Sequence, residues 1–390
     1  MANNFDEIIP RDNTDSLKYD DKQNRFGTLD VQPMWVADMD FRVPEFITKA
    51  LSNLVNHGIY GYHIKTDKYY RIIIDWFQRR HNFTIDQKGI FFTPGVVPAL
   101  SYLVKTFTEK GDKIIVQPPV YYPFFWVIQM NERQILYNRL IEHNNEYSID
   151  FDDFEKKAKE AKMLIFCHPH NPVGRTWRKD ELEKIAEICL RNKIKVVSDE
   201  IHNDLVFAPH KHIPFASLSP EIDNITVTCH SASKSFNLAG LSTAYAIMNN
   251  PEMQKTFKKF IIPMQVEALN TFGLTAMVAA FEQGDSWLTE LLTYIWDNYN
   301  FIKDYLVKNL PLLKISPLEA TYMIWIDFRK LQMTDKQLKE FIIQKAHLGL
   351  NDGPTFGPGG EGFQRMNIAC PRQILKEALE KLNYSINKLR

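Results

Sequence analysis

ITVTCHSASKSFNLAGL, residues 225–241, reads as a buried strand that runs straight into a lysine. ITVTC is short, apolar and β-branched, the composition of a strand covered on both faces. Lys234 follows in Ser231-Ala232-Ser233-Lys234, and the chain then turns through Asn237 and Gly240. A lysine at the carboxyl end of a core strand is costly unless it is exposed, paired or consumed as an imine. On its own the tetrapeptide reads first as a surface lysine in a strand-to-helix turn. Its surroundings decide between that and imine chemistry.

Outward from this stretch, similar runs recur: IFFT (90–93), KIIVQ (113–117), QILYN (134–138), MLIFC (163–167), KVVS (195–198) and TAYAIM (243–248). They read as buried strands of a mostly parallel sheet. Between them lie helical patterns such as KDELEKIAEICLRN (179–192), whose Leu182, Ile185, Ala186 and Cys189 repeat at helical spacing. The spacing predicts an α/β core of about seven strands. The start of the chain, to Val43, is irregular; Pro44 then opens EFITKALSNLVNHG, which Gly58 closes. After Gly284 a long helix (286–310), the strand YMIWIDF (322–328), a helix near 334–347, a Gly/Pro loop (351–362), FQRMNIAC (363–370) and a last helix describe a smaller α+β unit. The expected division is 1–44 as an N-terminal segment of the small domain, 45–285 as the large domain and 286–390 as the small C-terminal domain.

Four further strand ends carry polar or aromatic groups. Asp199 in SDEIH follows KVVS; a carboxylate there can keep the pyridine nitrogen of pyridoxal 5'-phosphate (PLP) protonated, or simply cap a turn. Asn171 in HNPVG follows MLIFC and can donate to the phenolic oxygen of that cofactor, or mark an Asn-Pro turn. In TPGVVPAL (93–100) a strand breaks at Pro94-Gly95 and a helix begins, offering the N–H groups of Val96 and Val97 to a phosphate, with Ser231 and Ser233 as hydroxyl donors. Tyr121 in PPVYYP can lie flat on the ring or belong to the core. With Lys234, five pieces fall at strand ends, where α/β sheets place cofactor sites. The lysine would carry PLP as a Schiff base.

Bulk composition narrows the alternatives. The 47 basic residues balance 47 acidic ones, which disfavours nucleic acid as the main partner. Four cysteines, Cys167, Cys189, Cys229 and Cys370, lie too far apart for a zinc knuckle, so no metal is expected. NFDEIIPRDNTDS (4–16) lacks the basic and apolar run of a secretory signal, and no apolar stretch approaches the roughly 18–20 residues of a membrane span. A cytoplasmic protein without membrane contact is expected.

Taken in order, TPGVV, PPVYYP, HNPVG, SDEIH and SASK resemble the fold-type I PLP enzymes of the class I/II aminotransferase superfamily, over essentially the whole chain. WVADMDF (35–41), HGIYGY (57–62), SDEIH (198–202), SKSFNLAGL (233–241) and FQRMNIACPR (363–372) are similar to the MalY- and PatB-type cystathionine β-lyase branch, the carbon–sulfur lyases. The resemblance implies a three-layer α-β-α PLP-dependent transferase fold with a mostly parallel seven-stranded sheet and a smaller α+β domain. It implies that Lys234 is both Schiff-base lysine and acid/base at Cα, Asp199 the pyridinium partner, Asn171 a donor to the ring hydroxyl and Tyr121 the stacking ring. Val96, Val97, Ser231 and Ser233 would hold the phosphate, and Tyr62 would reach it from the neighbouring subunit of a homodimer with shared active sites. Arg365 would grip the substrate α-carboxylate, with Asn367 on the same strand face assisting. Two positions depart from ordinary aminotransferases: Ser242 stands where a phosphate-binding Arg is common, and His202 where a Tyr is common. His202 remains a secondary cofactor-site residue.

The implied reaction is α,β-elimination from L-cystathionine or related S-substituted L-cysteines, giving pyruvate, ammonia and a thiol. An aminotransferase would use the same lysine with a keto-acid acceptor, and no second carboxylate-binding Arg is identifiable. A non-catalytic regulator of this fold often adds an N-terminal DNA-binding domain, for which the short irregular start leaves no room.

Overall fold

Strands covered on both faces must be apolar on both, and the interior runs here meet that condition. A computed structural model describes residues 3–266 and 270–389. Its main sheet has seven strands in the spatial order Ile90–Thr93, Ala244–Ile247, Thr226–His230, Lys195–Asp199, Ala161–Cys167, Lys113–Val116 and Gln134–Tyr137. Only Ala244–Ile247 runs antiparallel to its neighbours; the remaining pairings are parallel. Every expected strand is present. Gln134–Tyr137 differs in burial: it is the sheet's edge, and its two outer residues are exposed.

The sheet's two faces separate by the strand period of two. Ile114, Val116, Met163, Ile165 and Val197 pack with Ala99, Leu100, Leu103 and Val104 of helix Val96–Phe107. Ile115, Leu164, Phe166 and Val196 pack on the other side with Phe154 and with Leu182, Ile185, Ala186 and Cys189 of helix Lys179–Arg191. The result is a three-layer α-β-α body. Each such fully buried aliphatic or aromatic side chain contributes about 1.5–3 kcal/mol.

A four-stranded antiparallel sheet, Lys314–Ile315, Met323–Asp327, Phe363–Asn367 and Asn351–Asp352 in spatial order, forms the smaller unit with helices Asp285–Asn309 and Arg372–Asn387. The helix expected near 334–347 runs as α-helix over Asp335–Glu340 and then widens into a π turn over Phe341–Lys345. The N-terminal segment is less irregular than its composition suggests: it carries a short helix, Lys22–Phe26, and pairs Gln32–Pro33 in parallel with Leu348–Gly349. Gly284 joins helix Thr271–Gln283 to helix Asp285–Asn309 because nothing larger fits. A Cβ there would lie 2.3 Å from both the Ala280 carbonyl and the Phe236 ring.

For function the decisive feature is directional. Thr93, Val116, Cys167, Asp199 and His230 all end on one edge of the sheet, with Cys167, Asp199 and Cys229 side by side in register. Five loops therefore converge at that edge, as expected of a ligand crevice in an α/β sheet.

Candidate active site

Ser231 ends the strand and N-caps the short helix Ala232–Ser235, its hydroxyl accepting from Ser233 N at 3.0 Å and donating to the Thr243 carbonyl at 2.6 Å. This cap turns Lys234 toward a cavity of about 260 Å³ that it lines together with Tyr121, Asn171, Asp199 and His202. Flanking residues pin the turn. Ser235 Oγ donates to Asp204 at 3.0 Å. Asn237, in the left-handed region at φ 58°, bonds Met39 N, Met39 O and Phe41 O. Lys234 Nζ donates to the Ala37 carbonyl at 2.7 Å. Burial pushes its amine down to about 8, against the opposing pull of Asp38 and Asp199.

Among the described residues the Asp199 carboxylate accepts one hydrogen bond, from Ile201 N at 3.3 Å. Burial raises its carboxyl to about 7, a rise that the Ile201 N–H and Lys234 oppose. A buried carboxylate facing a cavity with so little compensation suits a cationic N–H. Asn171 gives its amide oxygen to Arg365 Nη1 at 2.9 Å, which leaves its –NH2 as the donating half.

Arg365 is 3% exposed. Its partners are all neutral oxygens: Asn171 Oδ1, Trp35 O at 2.8 Å and Asn351 Oδ1 at 2.6 Å. Its Nε is buried without a partner among the described residues, its plane lies over Phe356 at 5.0 Å, and burial pushes the guanidinium down to about 10. A guanidinium buried without a carboxylate is strongly disfavoured unless an anion arrives. Arg365 lies behind Asn171 and is not itself among the cavity-lining residues.

At the opposite end, helix Val96–Phe107 starts at Gly95 with no side-chain cap. Ala99 N bonds the Gly95 carbonyl, and Pro98 has no N–H, so Val96 and Val97 hold the first turn's open donors. They line the cavity with Ser233, Ser242 and Thr243, as an anion cradle requires. His202 is buried with Nδ1 unpartnered, and burial drives its imidazole down to about 3, so it is neutral. Tyr121 is braced edge-on by Phe124, centroids 5.8 Å apart. These residues fit PLP: donors for a phosphate at one end, Asp199 for a ring nitrogen, Tyr121 for a ring face and Lys234 for an aldehyde carbon.

Two expected donors, Ser231 and Asn367, are engaged within the chain. Ser231 lines the cavity, and its hydroxyl donates to Thr243 O, which ties it to the turn. Asn367 commits its –NH2 to Val36 O at 2.7 Å and Asp38 O at 2.5 Å, and its oxygen to Ala369 N, leaving no donor for a substrate. Tyr62 is fully exposed and lies away from its own chain's cavity, a placement compatible with the expectation that it serves a neighbouring copy. Segment 36–41 and Tyr322, which also bonds the Ala37 carbonyl at 2.9 Å, had no assigned part in the site. Among the described residues, no cluster of side chains is arranged to hold a metal.

The aminotransferase class I and II family matches residues 38–382. Cystathionine beta-lyase PatB of Bacillus subtilis is 42% identical over 386 residues, covering 98% of this chain and 100% of that protein. Cystalysin from Treponema denticola, whose crystal structure contains a pyridoxal 5'-phosphate cofactor, superposes with a TM-score of 0.97 at 37% identity and covers 100% of both chains. The PLP-bound C-S lyase from Staphylococcus hominis gives 0.93 at 34% identity, covering 99% of this chain and 98% of its own. The likeness runs unbroken from the segment under Lys234 to the strand that carries Arg365, and on that footing the chain belongs to the class I and II aminotransferase family.

Proposed function

We propose that this chain is a PLP-dependent carbon–sulfur β-lyase that cleaves L-cystathionine or related S-substituted L-cysteines by α,β-elimination to pyruvate, ammonia and a thiol. The observation that carries the reading is end-to-end similarity to a cystathionine β-lyase and a C-S lyase, around a lysine that lines the cofactor cavity and a buried arginine behind it. When bound, PLP supplies a carbonyl for the substrate amine and a ring that takes up the electron pair left at Cα.

Arg365 is proposed to receive the α-carboxylate, which gives its buried charge a partner and fixes Cα near Lys234. Lys234 takes the Cα proton. With its amine brought down to about 8, a useful fraction is neutral near pH 7 while the conjugate acid remains strong enough to return the proton. Asp199, which lines the cavity, would supply negative charge to the ring nitrogen of bound PLP. The Cβ–S bond then breaks with its electron pair on sulfur, and water releases ammonia and pyruvate from the remaining carbon skeleton.

Transamination of dicarboxylic acids is less well served. Arg11 and Arg42, the arginines lining the adjoining chamber, are already paired with Asp38 and Asp40, and with Glu7. A homodimer is also proposed, supported by the exposed Ile59, Tyr60, Tyr62 and Ile64, with Tyr62 serving the phosphate of the neighbouring copy. Four buried free thiols suit a cytoplasmic protein.

Purified protein supplied with PLP and L-cystathionine is expected to release pyruvate and free thiol in equal amounts, with no keto acid added. Turnover that requires a keto acid and yields no pyruvate would reject the lyase reading in favour of an aminotransferase. Arg365→Lys keeps the charge but loses the fork, so KM should rise about 100-fold with a smaller fall in kcat. Steady-state kinetics showing an unchanged KM would place the carboxylate elsewhere.

A further inference from the structure

Segment 36–41 meets the lysine through one carbonyl, and that carbonyl sits in a cage of charge. Ala37 O accepts from Lys234 Nζ at 2.7 Å and from Tyr322 Oη at 2.9 Å. The next carboxylate, Asp38, is gripped by Arg11 on both oxygens, at 3.2 and 2.8 Å. Arg11 also reaches Asp40 at 2.6 Å. Lys18, only 1% exposed, closes on Asp40 at 2.6 Å and faces Asp38 at 3.6 Å. Asn367 holds the carbonyls on either side of Ala37, and Asn237, three residues past Lys234, holds the far end of the segment.

Two carboxylates and two cations held together, with Lys18 and Asp40 buried and Arg11 and Asp38 half-buried, are a poor way to gain stability. Well-packed apolar residues of equal volume commonly do as well or better. Apolar packing could also fix the loop, but it could not put negative charge beside Lys234. The charged groups acting on that amine come from three elements: Asp38 from this segment, Arg365 from the small sheet and Asp199 from the large one. His202 and Tyr322, also packed there, are neutral at pH 7. Among these charges Asp38 acts most strongly in favour of the protonated amine, against burial and Arg365.

We propose that Asp38 is a positioning residue for Lys234. Locked by Arg11 and Lys18, it supplies the counter-charge for the ammonium formed at Nζ when the Cα–H bond breaks and its proton moves to the lysine. The adjacent Ala37 carbonyl aims that ammonium. The inference requires Lys234 to be the base and is independent of what leaves Cβ, so it stands or falls apart from the lyase reading.

The test titrates the Lys234 amine without turnover. The full chain, stripped of cofactor, is labelled with trace acetic anhydride across pH, and acetylation at Lys234 is read by mass spectrometry. Asp38→Asn, which keeps a similar shape, is expected to lower the midpoint by about one pH unit. Asp40→Asn removes an equal charge from the same cage and should move it by less than about a third of a unit. Arg11→Gln unmasks Asp38 and should raise it by about half a unit. In the PLP-loaded enzyme, Asp38→Asn should lower kcat about tenfold with KM within about threefold. Equal shifts for Asp38→Asn and Asp40→Asn, or no shift in either, would make the cage mere scaffold and overturn the proposal. If Asp38→Asn does not fold, the sign of the Arg11→Gln shift decides: a fall or no change overturns it.

Discussion

Lys234→Ala is expected to lower turnover by roughly 10⁴-fold, the upper range for losing a general base, because the covalent anchor disappears with it. The visible absorbance of the lysine-linked cofactor should vanish as well. The fold should survive. The one carbonyl that Lys234 bonds, Ala37 O, keeps its bond from Tyr322, and Ser235 and Asn237 hold the turn independently of the amine. Stability should even change in a defined direction with pH. The amine's value falls from 10.5 to about 8 in the folded cofactor-free chain. A depressed value contributes stability that is complete above the unfolded value and lost as pH falls through the folded one. Below about pH 8 the native lysine therefore costs stability that alanine does not. Cofactor-free Lys234→Ala should melt at or above the parent at pH 6, with the gap narrowing toward pH 10. Three measurements check this: pyruvate formation, absorbance and melting temperature across pH. A variant that kept the visible band would overturn the assignment of Lys234.

What was legible in the sequence was whatever follows an apolar run. Asp199 ends a strand of the main sheet, Tyr121, Asn171, Lys234 and the Val96–Val97 pair sit just past one, and all line one cavity. A parallel sheet forces this, since every such strand ends on the same edge. Arg365 was less legible because its meaning depends on Asn171, 194 positions away, and only the family resemblance singled it out. Alternation correctly put Asn367 on the face of Arg365, but alternation cannot foresee that two backbone carbonyls from segment 36–41 would take its amide. That segment carries part of the family resemblance as WVADMDF, but nothing in the string foretells its contact with the lysine. It belongs to no helix or strand, and besides its nearer ties to Arg11 and Lys18 its bonds go to Lys234, Asn237, Tyr322 and Asn367, each roughly 200 to 330 positions distant. QILY was misjudged for a related reason: a short apolar run does not reveal whether a second neighbour will cover it.

The other large effect belongs to Asp199. In the cofactor-free chain its carboxyl rises from 3.8 to about 7, with burial the main cause, so keeping it charged above that pH costs roughly 4 kcal/mol. A raised value contributes stability that is complete below the unfolded value and lost as pH rises through the folded one. Cofactor-free protein should therefore weaken between about pH 4 and 7, and a cationic ring nitrogen opposite Asp199 should restore what is lost. The gain in melting temperature on adding PLP is accordingly expected to be larger at pH 8 than at pH 5. Asp199→Asn removes the titrating group while keeping its shape, so that gain should become nearly independent of pH across the same range. Turnover should fall about 10³-fold, since an amide cannot hold a proton on the facing nitrogen and the electron pair released at Cα loses its charged counterpart. The two readouts are separable, because the melting shift involves no substrate. A variant that lost turnover yet kept the parent's pH-dependent gain would show that another group faces the ring nitrogen. A variant that lost the pH dependence yet kept turnover would show that elimination proceeds without that charge.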